Sequence, residues 1–283
     1  MVSVLDQFTK KKEYLICVDS DGCAMDTMNI KHVKCFGPCM VEEWQLQEWQ
    51  DVILARWNDI NLYTVTRGIN RFLGLKIALE EIDAAYMSIE GLDDLKEWVD
   101  HTPELSNKAL EKAIEKTGST VLKKALHWSK CVNERIQKLD DSEKLPFEGV
   151  KEALAYAHSL ADIAIVSSAN LQAVLDEWRL YGLLEHTDVV LAQDAGTKEY
   201  CIHELLKKGY EKENVMMTGD APGDYQAAES NGVLYYPILV RHEMESWNEF
   251  RETAVGRFLD GSYRGTYQKE KIAAFLDNLN PSK

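Results

Sequence analysis

Asp19-Ser20-Asp21-Gly22 sets two carboxylates two residues apart, directly after the apolar run Tyr14–Val18. If that run is a strand that breaks at its end, both carboxylates can line one cleft. One can then attack phosphorus while the other, protonated, serves the leaving oxygen. A solvated acidic turn uses the same residues, so the cluster needs company.

Three further clusters supply it. Gly219-Asp220-Ala-Pro-Gly-Asp224 follows the apolar run Val215–Met217, and its two carboxylates could converge on a hard cation, which takes oxygen ligands. Asp224 also suits a helix start, where a carboxylate accepts orphan backbone N–H groups. Ser167 ends the run Ile163–Val166, where a hydroxyl and a backbone N–H could hold a phosphate oxygen, or where a helix could begin at Asn170. Lys198 follows Gly196-Thr197, and an ammonium there could neutralise a phosphate or a carboxylate, unless it is one more surface lysine.

Each cluster needs an element to position it. Tyr14–Val18, Ile163–Val166, Asp188–Leu191 and Val215–Met217 read as short buried strands running into turns, and Val233–Val240, interrupted by Pro237, as a fifth. Helical patterns lie between them at Val150–Leu160, Leu171–Tyr181, Lys198–Lys208 and Asp224–Asn231. Strand and helix in alternation predict an α/β fold, a parallel sheet with helices on both faces. In such sheets ligands sit beyond the carboxyl ends of the strands, where all four clusters fall. From about Thr27 to Leu145 the pattern is helical instead, with long segments at Val41–Trp57, Gly74–Met87, Leu105–Thr117 and Thr120–Leu139. This predicts an all-helical domain (27–145) inserted into the sheet domain (1–26 and 146–283), the chain re-entering at Pro146-Phe-Glu-Gly149.

Composition excludes several classes. The net charge of −15 argues against a nucleic-acid surface, which needs a basic footprint. A metal ion and a few local cations can still make one cleft positive. No apolar run approaches the ~18 residues of a membrane span, and the start shows no secretion signal, so a cytoplasmic protein without membrane or nucleic-acid partners is expected. The cysteines at 17, 23, 35, 39, 131 and 201 include one close pair and complete no zinc site; they read as reduced packing residues.

Taken in order, Asp-x-Asp, Ser, Lys and Gly-Asp-x-x-x-Asp at successive strand ends resemble the haloacid dehalogenase superfamily across the whole sheet domain. Asp19-Ser-Asp-Gly-Cys-Ala-Met-Asp-Thr27, Pro146-Phe-Glu-Gly-Val150 and Ala227-Ala-Glu-Ser-Asn-Gly-Val233 look like its phosphoglycolate phosphatase and β-phosphoglucomutase branch. The resemblance implies a Rossmann-like core and a helical cap. It assigns Asp19 as nucleophile, Asp21 as general acid/base, Ser167 as the phosphate-holding hydroxyl and Lys198 as the neutralising cation. It places Mg²⁺ at Asp19, Asp220 and Asp224, with the backbone carbonyl of Asp21. Cys23 and Glu199 depart from the branch's usual residues, at positions that supply no essential group.

A carboxylate at Asp21 points to phosphate esters, whose leaving alkoxide needs a proton. The resemblance therefore implies a phosphatase of a small phosphorylated metabolite, acting through an aspartyl-phosphate. A phosphomutase would use the same residues, and a non-catalytic binding protein would have no need of them all. Within the cap, Arg67 and Arg71 flank a glycine break and could reach a second substrate anion or form ion pairs within the domain. Trp44, Trp49, Trp57, Trp98 and Trp128 are core candidates.

Overall fold

Strands buried on both faces of a parallel sheet carry apolar residues at every position, and the first strand here is such a run. The computed structural model describes residues 4–280. β1 (Leu15–Val18), β2 (Asp162–Val166), β3 (Val189–Leu191), β4 (Val215–Gly219) and β5 (Leu234–Pro237) form one all-parallel sheet in the order β3-β2-β1-β4-β5. Every side chain of β1 is fully buried. Val18 stands opposite Ile165 of β2 and Thr218 of β4, so Asp19 emerges mid-sheet between the ends of both neighbours. The expected α/β architecture is the observed one.

Ile16, Val18, Ile163, Ile165, Met216 and Tyr236 pack to one face, in a core with Val150–Leu160, Leu171–Leu180 and the helical stretch that opens with Glu243–Glu249. On the other face Tyr235 sets its ring against Tyr225 of the Pro222–Asn231 helix and Phe275 of the Thr266–Asn278 helix. β5 is shorter than Val233–Val240 because Pro237 has no N–H for the ladder. The Ile238 N–H reaches the Gly219 carbonyl at 2.9 Å and carries the pairing one residue further.

The described residues divide into two compact units, one running up to Met28 and resuming at Asp141, the other spanning Asn29–Asp140. In the first, the outgoing and returning chains are tied together: the Asp26 N–H donates to the Leu145 carbonyl at 2.8 Å and the Phe147 N–H to the Ala24 carbonyl at 3.0 Å. Gly149, at φ +86°, then turns the chain into Val150–Leu160 with a backbone that side-chain-bearing residues avoid.

The second unit is helical. Its core holds Trp44, Trp57, Trp98 and Trp128 as expected, with Trp49 packed at its edge. The indole N–H of Trp57 donates to His32 Nδ1 at 3.1 Å and that of Trp128 to the Phe36 carbonyl at 3.1 Å, so neither buried donor is lost. The continuous pattern over Val41–Trp57 is broken in the structure. Gly37–Glu43 ends at Trp44, Gln45 takes φ +56°, and a new helix runs Gln50–Asn58. The Leu46 N–H returns to the Val41 carbonyl at 2.8 Å and closes the turn. Such a left-handed stop usually announces itself with glycine, and here a glutamine fills it.

Candidate active site

The nucleophile candidate sits on a loop with little freedom. The Asp19 N–H donates to the Thr218 carbonyl at 3.0 Å, one step beyond the β1–β4 register. The next carbonyl, that of Ser20, accepts from Cys23, Ala24 and Met25 at 3.3, 3.0 and 2.9 Å. Gly22, at φ +86°, makes that tight return feasible. Two tryptophans brace the same loop from distant helices. Trp178 Nε1 donates to Ser20 Oγ at 2.9 Å, and Trp247 Nε1 donates to the Cys23 carbonyl at 2.9 Å. Thr27 Oγ1 donates to Asp21 Oδ1 at 2.7 Å and fixes one oxygen of that carboxylate. Cys23 is fully buried, with its thiol 3.6 Å from the Thr218 carbonyl, which fits a packing role.

Lys198 is the first residue of the Lys198–Leu206 helix, capped by Thr197, whose hydroxyl accepts from the Tyr200 N–H at 3.2 Å. Its ammonium lies 2.9 Å from Asp19 Oδ2 and 2.5 Å from Asp224 Oδ1. Asp224 sits at the third position of the Pro222–Asn231 helix and turns its other oxygen back to the Ala221 N–H at 3.0 Å. The cap role and the site role of Asp224 are therefore one arrangement. Gly219 leaves room for it. A Cβ there would stand 2.3 Å from Asp224 Cγ, far inside contact distance.

Asp19, Asp220 and Asp224 are all buried, and their carboxylate oxygens lie within 4.8 Å of one another. Burial, only partly offset by Lys198, pushes the Asp19 carboxyl up to about 6, and Asp224 adds to the rise. Burial raises Asp224 as well, with Lys198 opposing and Asp220 reinforcing. Burial works against the Lys198 ammonium, but Asp19 and Asp224 outweigh it and hold the group charged, above the ordinary lysine range. Three carboxylates against one ammonium leave an excess of negative charge in a dry site, which a divalent cation relieves. Oxygens so spaced need only small rotations to close on an ion with bonds of about 2.0–2.1 Å, so the donor set fits magnesium. Both oxygens of Asp224 are already engaged, one by Lys198 and the other by the Ala221 N–H.

Ser167 is buried at the end of β2, the neighbour of β1, and its hydroxyl accepts from the Ala169 N–H at 3.2 Å. Arg67 and Arg71 lie in the helical unit. Arg67 is 2% exposed and donates to the Leu62 carbonyl at 2.6 Å. Arg71 is half-buried, stacks over Phe36 at 5.0 Å, and donates to Ser129 Oγ at 3.0 Å and Asn133 Oδ1 at 2.7 Å. Burial draws its guanidinium down to about 10, so it stays charged at neutral pH.

A family model for haloacid dehalogenase-like hydrolases matches residues 94–236, half of the chain. The chain belongs to the haloacid dehalogenase-like hydrolases. The matched stretch of this hydrolase holds Ser167, Lys198, Asp220 and Asp224; Asp19 and Asp21 lie before it and rest on the geometry above. No curated protein matches the hydrolase. Among solved structures, a "putative phosphoglycolate phosphatase" from Lactobacillus delbrueckii subsp. bulgaricus is 15% identical over 93% of this chain and 98% of its own, with a TM-score of 0.52, a likeness of fold. A haloacid dehalogenase-like family hydrolase from Streptococcus pneumoniae is 13% identical over 83% of this chain and 90% of its own, with a TM-score of 0.48. Among the described residues no helix is long and apolar enough to cross a membrane.

The supports of the site escaped sequence reasoning. Thr27 stands inside the first motif and Gly219 inside the last, so spacing alone could have raised both. Trp178 and Trp247 contact residues 158 and 224 positions away, and no local pattern announces such a pairing.

Proposed function

We propose that this hydrolase is a magnesium-dependent phosphatase of a small phosphorylated metabolite, with Asp19 as its nucleophile. The observation that carries the reading is the Lys198 bridge between Asp19 and Asp224, with Asp220 beside them. Asp19 attacks phosphorus in line and becomes an aspartyl-phosphate. Asp21, held through Thr27, gives its proton to the leaving oxygen and then takes one from the water that releases phosphate. Lys198 offsets the charge of the approaching phosphoryl group, and the Ser167 hydroxyl holds one of its oxygens. Asp19 and Asp220, with the Asp21 carbonyl, would hold a magnesium ion, which would supply positive charge for the phosphoryl oxygens.

Turnover of an aryl phosphate tests the reading. Asp19→Asn should lower the rate at least about a hundredfold, or ~2.7 kcal/mol in barrier, with unchanged circular dichroism. Wild-type turnover should vanish with a strong chelator and return with magnesium. A variant that keeps most of the rate would remove Asp19 from the nucleophile's role.

A further inference from the structure

Two thiols 92 positions apart in sequence meet in the helical unit. Cys39, on the Gly37–Glu43 helix, and Cys131, on the Thr120–Gln137 helix, place their sulfurs 2.9 Å apart, in a thiol–thiol hydrogen bond. A disulfide needs two cysteines already held close with their side chains facing, and its sulfurs then lie about 2.05 Å apart. The same pair of helices is clamped beside the thiols: Arg135, one turn beyond Cys131, pairs with Glu42, three residues beyond Cys39. Access differs between the two sulfurs. Cys39 is 2% exposed, whereas Cys131 is half-buried. Burial, reinforced by the bond to Cys131, raises the Cys39 thiol above its ordinary range and keeps it protonated.

We propose that Cys39 and Cys131 form a site of reversible oxidation, closing to an intramolecular disulfide when the protein meets a hydroperoxide. The accessible Cys131 sulfur attacks the peroxide oxygen, the O–O bond breaks, and the thiol becomes a sulfenic acid as the first water (or alcohol) leaves. The Cys39 sulfur then attacks the Cys131 sulfur. The S–O bond breaks, the S–S bond forms, and the Cys39 proton departs with the hydroxyl as water. The thiols lose two electrons and the peroxide gains them; a dithiol reverses the change. The crosslink joins Gly37–Glu43 to Thr120–Gln137 and stiffens the helical unit without touching the acidic cluster, which belongs to the other unit.

The test treats the full chain with hydrogen peroxide, alkylates the remaining thiols in denaturant and maps peptides without reduction. A Cys39–Cys131 linked peptide should appear, with two fewer alkylatable thiols. The Tm of the helical unit's transition should rise by about 10–20 °C, as expected for closing so long a loop, and dithiothreitol should reverse every change. Cys35→Ser should behave as wild type, and Cys131→Ser should form no internal link. Wild-type mapping decides the matter even if a variant folds poorly. A link through another cysteine, Cys131 oxidised beyond sulfenic acid beside a free Cys39, or no thiol loss would each overturn the proposal.

Discussion

Gly219→Ala adds one methyl group at the point where β4 hands over to the acidic helix start. The new Cβ would lie 2.3 Å from Asp224 Cγ, 2.4 Å from Oδ2 and 2.5 Å from Cβ. Asp224 must therefore move, and it holds two bonds: to Lys198 at 2.5 Å and to the Ala221 N–H at 3.0 Å. Overpacking of this kind costs about 1–3 kcal/mol, and a lost charge-assisted bond about 1.5–3 kcal/mol. These losses overlap, so the expected destabilisation is about 3 kcal/mol, below their sum. It should show in urea unfolding of the sheet unit, followed by tryptophan fluorescence. A double-mutant cycle isolates the cause. In an Asp224→Gly background neither the clash nor the two bonds remain, and Gly219→Ala should cost less than about 1 kcal/mol. Equal cost in both backgrounds would refute the reasoning, as would a Gly219→Ala variant as stable as wild type.

Two further outcomes follow from the site. Trp178→Phe removes the indole N–H from Ser20 Oγ, a bond between fully buried partners, and should cost about 1–2 kcal/mol of stability. Because Ser20 links Asp19 to Asp21, kcat should fall several-fold with KM nearly constant; unchanged kcat would make Trp178 a packing residue only. Asp19 supplies the pH prediction. Burial raises its folded carboxyl to about 6 from an ordinary 3.8, so the metal-free native state binds more protons than the unfolded chain across that window and loses stability as pH rises through it. A shift of about two units corresponds to ~3 kcal/mol. Magnesium should therefore raise the Tm more at about pH 7.5 than at about pH 5, and a larger shift at the lower pH would contradict the assignment.

How legible the molecule was depends on whether a feature is local. β1 could be read because a doubly buried strand admits no polar residue until Asp19. The four clusters could be read because each closes such a run, and the observed sheet brings β4 and β2 to either side of β1. The break at Gln45 could not, since nothing in a glutamine signals φ +56°, and only the packing of Trp44 and Leu46 makes it worthwhile. Nor could the π-type turns at His32–Phe36, Asp59–Tyr63 and Phe250–Ala254, where one extra residue enters an otherwise helical pattern. Reading the cysteines as separate packing residues missed the Cys39–Cys131 approach for the same reason, since that contact is made by tertiary packing.

The central claim is that a phosphoryl group rests on Asp19 during turnover. Acid quenching of the wild-type enzyme midway through turnover of a labelled phosphate ester, followed by borohydride reduction and peptide mapping, reads this directly, because an acyl-phosphate is reduced to an alcohol where a free carboxylate is not. The account predicts homoserine at position 19 and nowhere else, dependent on substrate and magnesium. Label on another residue, or turnover with no trapped carboxylate under conditions where phosphate release is the slow step, would contradict it.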